Sequence, residues 1–175
     1  VFTRYLGAVR PPQGGLAPSH SADPAPIRGR WGIPAGDPQV DIFLVESGSS
    51  TYVVPLVLSS TAFEHDLITK DRGKLVYDAT ELRFGHRALL EASLTQWVDG
   101  EGECGTLTGR SIDDIMPIAT SAKFTGEQSN TSIRYELKSG ETVILKVFRV
   151  LNSGLNPDVI LTQALSEGGS PHVAA

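Results

Sequence analysis

Val40-Asp41-Ile42-Phe43-Leu44-Val45-Glu46, then Ser47-Gly48-Ser49-Ser50, then Thr51-Tyr52-Val53-Val54-Pro55-Leu56-Val57-Leu58, is the stretch from which the fold can be read. Two runs rich in β-branched and aromatic residues, joined by a short Gly/Ser cluster, carry the signature of a β-hairpin. Pro55 has no amide proton to give to a ladder, so the second strand is expected at a sheet edge or with a bulge at that residue. Downstream, Lys70-Asp71-Arg72-Gly73-Lys74 reads as a turn and Leu75-Val76-Tyr77 as a short strand. Asp78 then stands as an N-cap with Glu81 three residues later, and Leu82, Ala88, Leu89, Ala92, Leu94 and Trp97 recur at helical spacing, with Gly85 out of place. Gly100, Gly102, Gly105 and Gly109, with Leu107 between them and Ile115-Met116-Pro117-Ile118 after, predict turns and short strands.

Working toward the N-terminus, residues 1–39 contain Pro11, Pro12, Pro18, Pro24, Pro26, Pro34 and Pro38, out of 11 prolines in the chain, and show neither helical nor alternating apolar spacing. They read as an irregular arm, anchored by Phe2 or Trp31.

The last third is more specific. A strand around Ala122 leads into a polar loop, Gly126-Glu127-Gln128-Ser129-Asn130-Thr131-Ser132, and back into Ile133-Arg134-Tyr135-Glu136-Leu137. Lys138-Ser139-Gly140 is a turn, and a third strand runs from Glu141 to Val150 with Lys146 among apolar neighbours. A helix follows, with Pro157 at its first position and Gly168-Gly169 at its end. The expected class is α+β: a mostly antiparallel β cap with one or two helices (40–118), then the strands and first helix of a protein-kinase-like small lobe (119–175). The chemical reason for that last reading is local. A loop of small polar residues can approach phosphate oxygens, and a lysine on the following strand supplies a point charge for them.

Glu127-Gln128-Ser129-Asn130-Thr131-Ser132, Ile144-Leu145-Lys146-Val147-Phe148-Arg149 and Asn156-Pro157-Asp158 closely resemble, in order and spacing, the N-terminal lobe of the actinobacterial maltokinase family. That family includes the kinase part fused to some trehalose synthases and the related glucosamine kinases. Val76-Tyr77-Asp78-Ala79 and Gly105-Thr106-Leu107 are fainter matches, in the cap subdomain that precedes the small lobe. The resemblance implies ATP-dependent phosphorylation of maltose to maltose 1-phosphate, feeding α-glucan synthesis, in a cytoplasmic enzyme with an aminoglycoside-phosphotransferase-like fold. It implies Gln128, Ser129, Asn130, Thr131 and Ser132 as the phosphate-covering loop and Lys146 as the lysine that pairs with the α- and β-phosphates. ATP and Mg²⁺ are then cofactors of the full-length parent, with neither expected to bind tightly to this chain.

The sequence departs from the family at two points. Where the family has an acidic partner for the lysine, this chain has Ile160, with Asp158 and Glu167 the nearest acids. None of His20, His65, His86 and His172 is followed two residues later by aspartate, as a kinase catalytic loop requires. No catalytic residue and no metal ligand is therefore assigned, and the expected partner is a large lobe outside these residues. A cut there should expose apolar surface and favour self-association through the last strand and helix. Two further readings stand beside the kinase segment: a non-catalytic module docking a trehalose synthase or similar partner, and a small β-barrel binding an apolar ligand through the hairpin of residues 40–58.

Composition narrows the classes. Of 175 residues, 40% are hydrophobic and 20% charged, with 15 Lys+Arg against 20 Asp+Glu, a net charge of −5. The basic residues are scattered, so nucleic acid is not an expected partner. No apolar run approaches the roughly 20 residues of a membrane span. No basic segment followed by an apolar stretch opens the sequence, and Cys104 is the sole cysteine, so a reducing cytoplasmic location is expected. His65 and His86 lack ligand spacing and are expected at the surface. Asp113-Asp114 reads as a solvated turn, Cys104 and Ser111 lack the setting of a nucleophile, and Trp31 and Trp97 read as anchors.

Overall fold

The computed structural model describes residues 25–33, 36–95, 97–98, 100–102, 105–109, 117–125, 130–151, 154 and 156–169. The chain forms β1 (Ile27–Ile33), β2 (Gln39–Ser47), β3 (Ser50–Ser59), β4 (Thr69–Asp71), β5 (Lys74–Asp78), α1 (Arg83–Thr95), β6 (Trp97–Val98), β7 (Glu101–Gly102) and β8 (Leu107–Thr108). Then follow β9 (Ile118–Lys123), β10 (Asn130–Leu137), β11 (Thr142–Phe148), β12 (Val150–Leu151) and α2 (Pro157–Glu167). The larger sheet has the order β4-β5-β3-β2-β1-β7, with β12 added to β3; β9, β10 and β11 form a separate three-stranded meander, and β6 pairs with β8. Among the described residues every pairing is antiparallel, which with the two helices there makes the fold α+β.

The hairpin of β2 and β3 closes on Gly48-Ser49, flanked by the Ser47–Ser50 pair, with Gly48 at φ +61°. Pro55 is not at an edge. It is buried in β3, which has β2 on one side and both β12 and β5 on the other. The missing donor is accommodated by a gap. Val53 donates its amide to the Arg149 carbonyl on the β12 side, and by strand alternation an amide at residue 55 would point the same way. There β12 has already ended and the pairing with β5 starts only at Leu56, while the Pro55 carbonyl accepts from Ala79.

Part of the expected arm is a strand: Ile27–Ile33 pairs along β2 and also with β7. Gly29 and Gly32 remove the side-chain alternation that would have revealed it. Trp31 does anchor, its Nε1 donating to the Gly105 carbonyl at 2.6 Å. Residues 1–24 lie outside the described residues.

The start of α1 also differs from the expected one. Asp78 caps a preceding turn: its Oδ1 accepts from the Thr80 amide at 2.8 Å and the Thr80 hydroxyl at 2.9 Å. The helix begins five residues beyond Asp78, at Arg83. Gly85 is there of necessity, since a Cβ on it would lie 2.0 Å from the Ala79 carbonyl oxygen.

One cluster unites the two halves. Ile33, Val40, Ile42, Val57 and Tyr77 on one face of the larger sheet pack with Leu82, Ala88, Leu89 and Ala92 around α1 and with Ile133, Tyr135 and Leu137 of β10. The larger sheet, α1 and the following meander therefore share a core. The opposite face of the larger sheet carries a second cluster, Val45, Val54, Leu56 and Val76.

Candidate functional site

The meander fixes the geometry of the sequence-predicted site. Asn130 pairs with Phe148, Thr131 with Val147 and Ser132 with Lys146. Residues 130–132 are thus the first residues of β10, where the sequence suggests loop. Ser and Thr fit a pleated strand, and two of these three hydroxyl or amide side chains are taken into it: Thr131 is 8% exposed and Ser132 5%. Gln128 and Ser129 lie outside the described residues.

Alternation separates the candidates onto two faces. Thr131, Ile133, Tyr135 and Leu137 face the core. Ser132, Arg134 and Glu136 share the outer face with Thr142, Ile144 and Lys146, directly opposite them. The structure therefore brings Ser132 and Lys146 together, at the end of the sheet from which the 126–129 connection springs, and turns Thr131 away from both. Lys146 is exposed, and its ammonium stands 5.3 Å from the centroid of the Phe148 ring on the same face. Arg134 on that face is ion-paired to Glu136 at 3.0 Å.

Ile160, at the position where the resemblance implies an acidic partner for the lysine, is an exposed apolar residue of α2, and Glu167 accepts a hydrogen bond from Gln163 at 2.7 Å. The expected ten-residue strand ending at Val150 is broken at Arg149, and Val150–Leu151 crosses to pair with β3. Arg149 stands at the break. Its guanidinium is buried, with Nε donating to Thr131 Oγ1 at 3.0 Å and Nη2 to Thr80 Oγ1 at 2.8 Å, and with Asp78 Oδ2 3.3 Å from Nη2.

His86, expected at the surface, is 3% exposed in the same region. Its Nε2 lies 2.8 Å from the Thr80 carbonyl, which can only accept, so Nε2 carries the proton; Nδ1 then accepts from Ser121 Oγ at 2.9 Å. Burial pushes its pKa below the ordinary histidine value, so the ring is held neutral. The Tyr135 hydroxyl donates to the His86 carbonyl at 2.8 Å, and burial raises the phenol pKa. Lys123 is ion-paired to Glu81 beside this cluster. Sequence reasoning missed this polar junction between cap and meander, though Asp78-Ala79-Thr80, an aspartate two residues before a hydroxyl, is a local turn signal.

Among the described residues no group of three His, Cys, Asp or Glu could hold a metal ion, and no helix is long and apolar enough to cross a membrane. No family model matches the chain.

Proposed function

We propose that this chain is the cap and the first small-lobe strands of an ATP-dependent sugar kinase similar to the maltokinases, phosphorylating maltose or a related sugar such as glucosamine. Lys146 would pair with the α- and β-phosphates of ATP, and the 126–129 connection with Asn130 and Ser132 would close over them. The observation that supports this reading is the placement of the exposed Lys146 on the outer face at the loop end of the meander, directly across from the buried Ser132. A phosphate chain there would meet the point charge of Lys146. In this reading Mg²⁺ and the catalytic base come with a large lobe, which would cover the same outer face together with α2.

The test is titration of the ¹⁵N-labelled chain with Mg-ATP. Saturable shifts confined to residues 130–132 and 144–148, and lost in Lys146→Ala, are the expected result. An unchanged β10 and β11 at millimolar nucleotide overturns the reading, as would transfer of phosphate to maltose by these 175 residues alone. The second reading, a non-catalytic docking module for a trehalose synthase or similar partner, is favoured by the exposed apolar side chains Val159, Ile160, Leu161 and Leu165 of α2. It predicts the unchanged spectrum.

A further inference from the structure

On the face of the larger sheet turned away from α1 and the meander lies a cavity of about 340 Å³, within the range of small-molecule pockets. Phe43, Leu56, Leu58 and Val76 give it an apolar floor. Set into that floor is Asp41, 2% exposed, in a strand that is otherwise apolar from Val40 to Val45. Its Oδ1 accepts from Gln39 Nε2 at 2.7 Å. Its Oδ2 faces Arg30 Nε across 3.9 Å, too far for a hydrogen bond. Arg30 Nε is buried and makes no hydrogen bond, although the Glu101 carboxylate is 3.3 Å away. The buried Arg30 Nε thus stands beside the Asp41 carboxylate without either satisfying the other, while the Arg30 side chain as a whole is 41% exposed.

Neither sign of charge suits the gap. An ammonium beside Asp41 would sit against the Arg30 guanidinium, and a carboxylate beside Arg30 would sit against Asp41. Farther out, Lys74 is already held by Asp37 at 2.8 Å and Ser60 at 2.7 Å, and Arg72 adjoins Asp71. A charged guest at the Arg30–Asp41 gap would lose its hydration and meet one repulsion for each attraction. A group that both donates and accepts while remaining neutral fits: it gives its proton to Asp41 Oδ2 and takes the Arg30 Nε proton.

We infer that this cavity is a binding site for a small uncharged amphipathic molecule, whose hydroxyl or carboxamide head bridges Arg30 and Asp41 and whose apolar body lies on Phe43, Leu56, Leu58 and Val76. The site is independent of the nucleotide reading, since Lys146 belongs to the outer face of the meander and the cavity to the outer face of the cap sheet.

Three probes with one pentyl tail and three heads test it: hexanamide, hexanoate and pentylammonium, each titrated into the methyl-labelled full chain. Hexanamide should shift the methyls of Leu56, Leu58 and Val76 saturably, and the two charged analogues should bind about ten-fold more weakly or not at all. Arg30→Lys keeps the charge facing Asp41 and Glu101 but removes the Nε donor, and should weaken hexanamide about ten-fold while the remaining spectrum is preserved. The inference is overturned if hexanamide gives no saturable shift at these methyls, if either ion binds as well as the amide, or if Arg30→Lys binds hexanamide unchanged.

Discussion

Two buried side chains, Asp41 and His86, respond to pH with opposite sign. Burial raises the Asp41 pKa above 3.8, only partly offset by the Gln39 hydrogen bond and by Arg30. Between 3.8 and the raised value the folded state therefore holds more protons than the unfolded chain, and stability falls as pH rises through that window. At neutral pH the full penalty is present. Asp41→Asn should accordingly raise the melting temperature near pH 7, with the gain shrinking as pH approaches 3.8 from above; a loss at neutral pH would mean that Arg30 outweighs desolvation. For His86 the pKa is lowered from 6.5, chiefly by burial, so the unfolded chain binds the extra proton. Its contribution is complete above 6.5 and is lost as pH falls toward the folded value. In an Asp41→Asn background, which removes the opposing term, urea unfolding should show lower stability at about pH 5.5 than at about pH 7.5, and His86→Gln should flatten that difference.

The elements were legible where they are local and obscured where distant partners decide. The β2–β3 hairpin, the Arg72-Gly73 turn between β4 and β5, and α2 between Pro157 and Gly168 follow from turn residues and caps within a few positions. β1 was hidden by its glycines, and Pro55 fits a central strand because a gap falls between the ends of β12 and β5, which lie far along the chain from it. Gly85 shows how a tertiary contact overrides propensity. In an exposed helix, Gly→Ala would gain about 1 kcal/mol. Here the Cβ would strike the Ala79 carbonyl, so Gly85→Ala should instead destabilise by about 2 kcal/mol or more, measured by urea unfolding. Arg149 binds β11 and β12 to the 78–80 turn through a guanidinium that is 7% exposed, against 17% for the Asp78 carboxylate. Arg149→Met should cost about 3 kcal/mol, because it takes the guanidinium away from a mostly buried carboxylate and from Thr80 and Thr131. Adding Asp78→Asn should recover part of that loss; strict additivity of the two would refute a direct coupling.

At the scale of the molecule, the polar junction and the shared core make the cap and the inner face of the meander one packed body, while the outer face and α2 are left open. The Ser132–Lys146 arrangement was partly legible, because alternation along a strand can be read locally. Which hydroxyls the strand would bury was not, since that depends on Arg149 reaching Thr131 from β11's far end. α2 sharpens the question of what the open side requires. It has 11 residues, short of the roughly 12–15 at which even alanine-rich helices become marginally stable alone, so it needs a surface to lie against. Yet Val159, Ile160, Leu161 and Leu165 are all more than 40% exposed, and Ile144 on the outer face is 58% exposed. In these residues alone a second copy is the surface at hand. Sedimentation should therefore give a weight-average mass that climbs from 18.7 kDa with concentration. Ile160→Glu with Leu161→Glu should return the chain to monomer without lowering its melting temperature, because neither side chain belongs to the core cluster. A wild-type chain that stays monomeric at high concentration would instead mean that α2 frays in isolation, and its amides should then exchange with solvent as fast as an unfolded segment's.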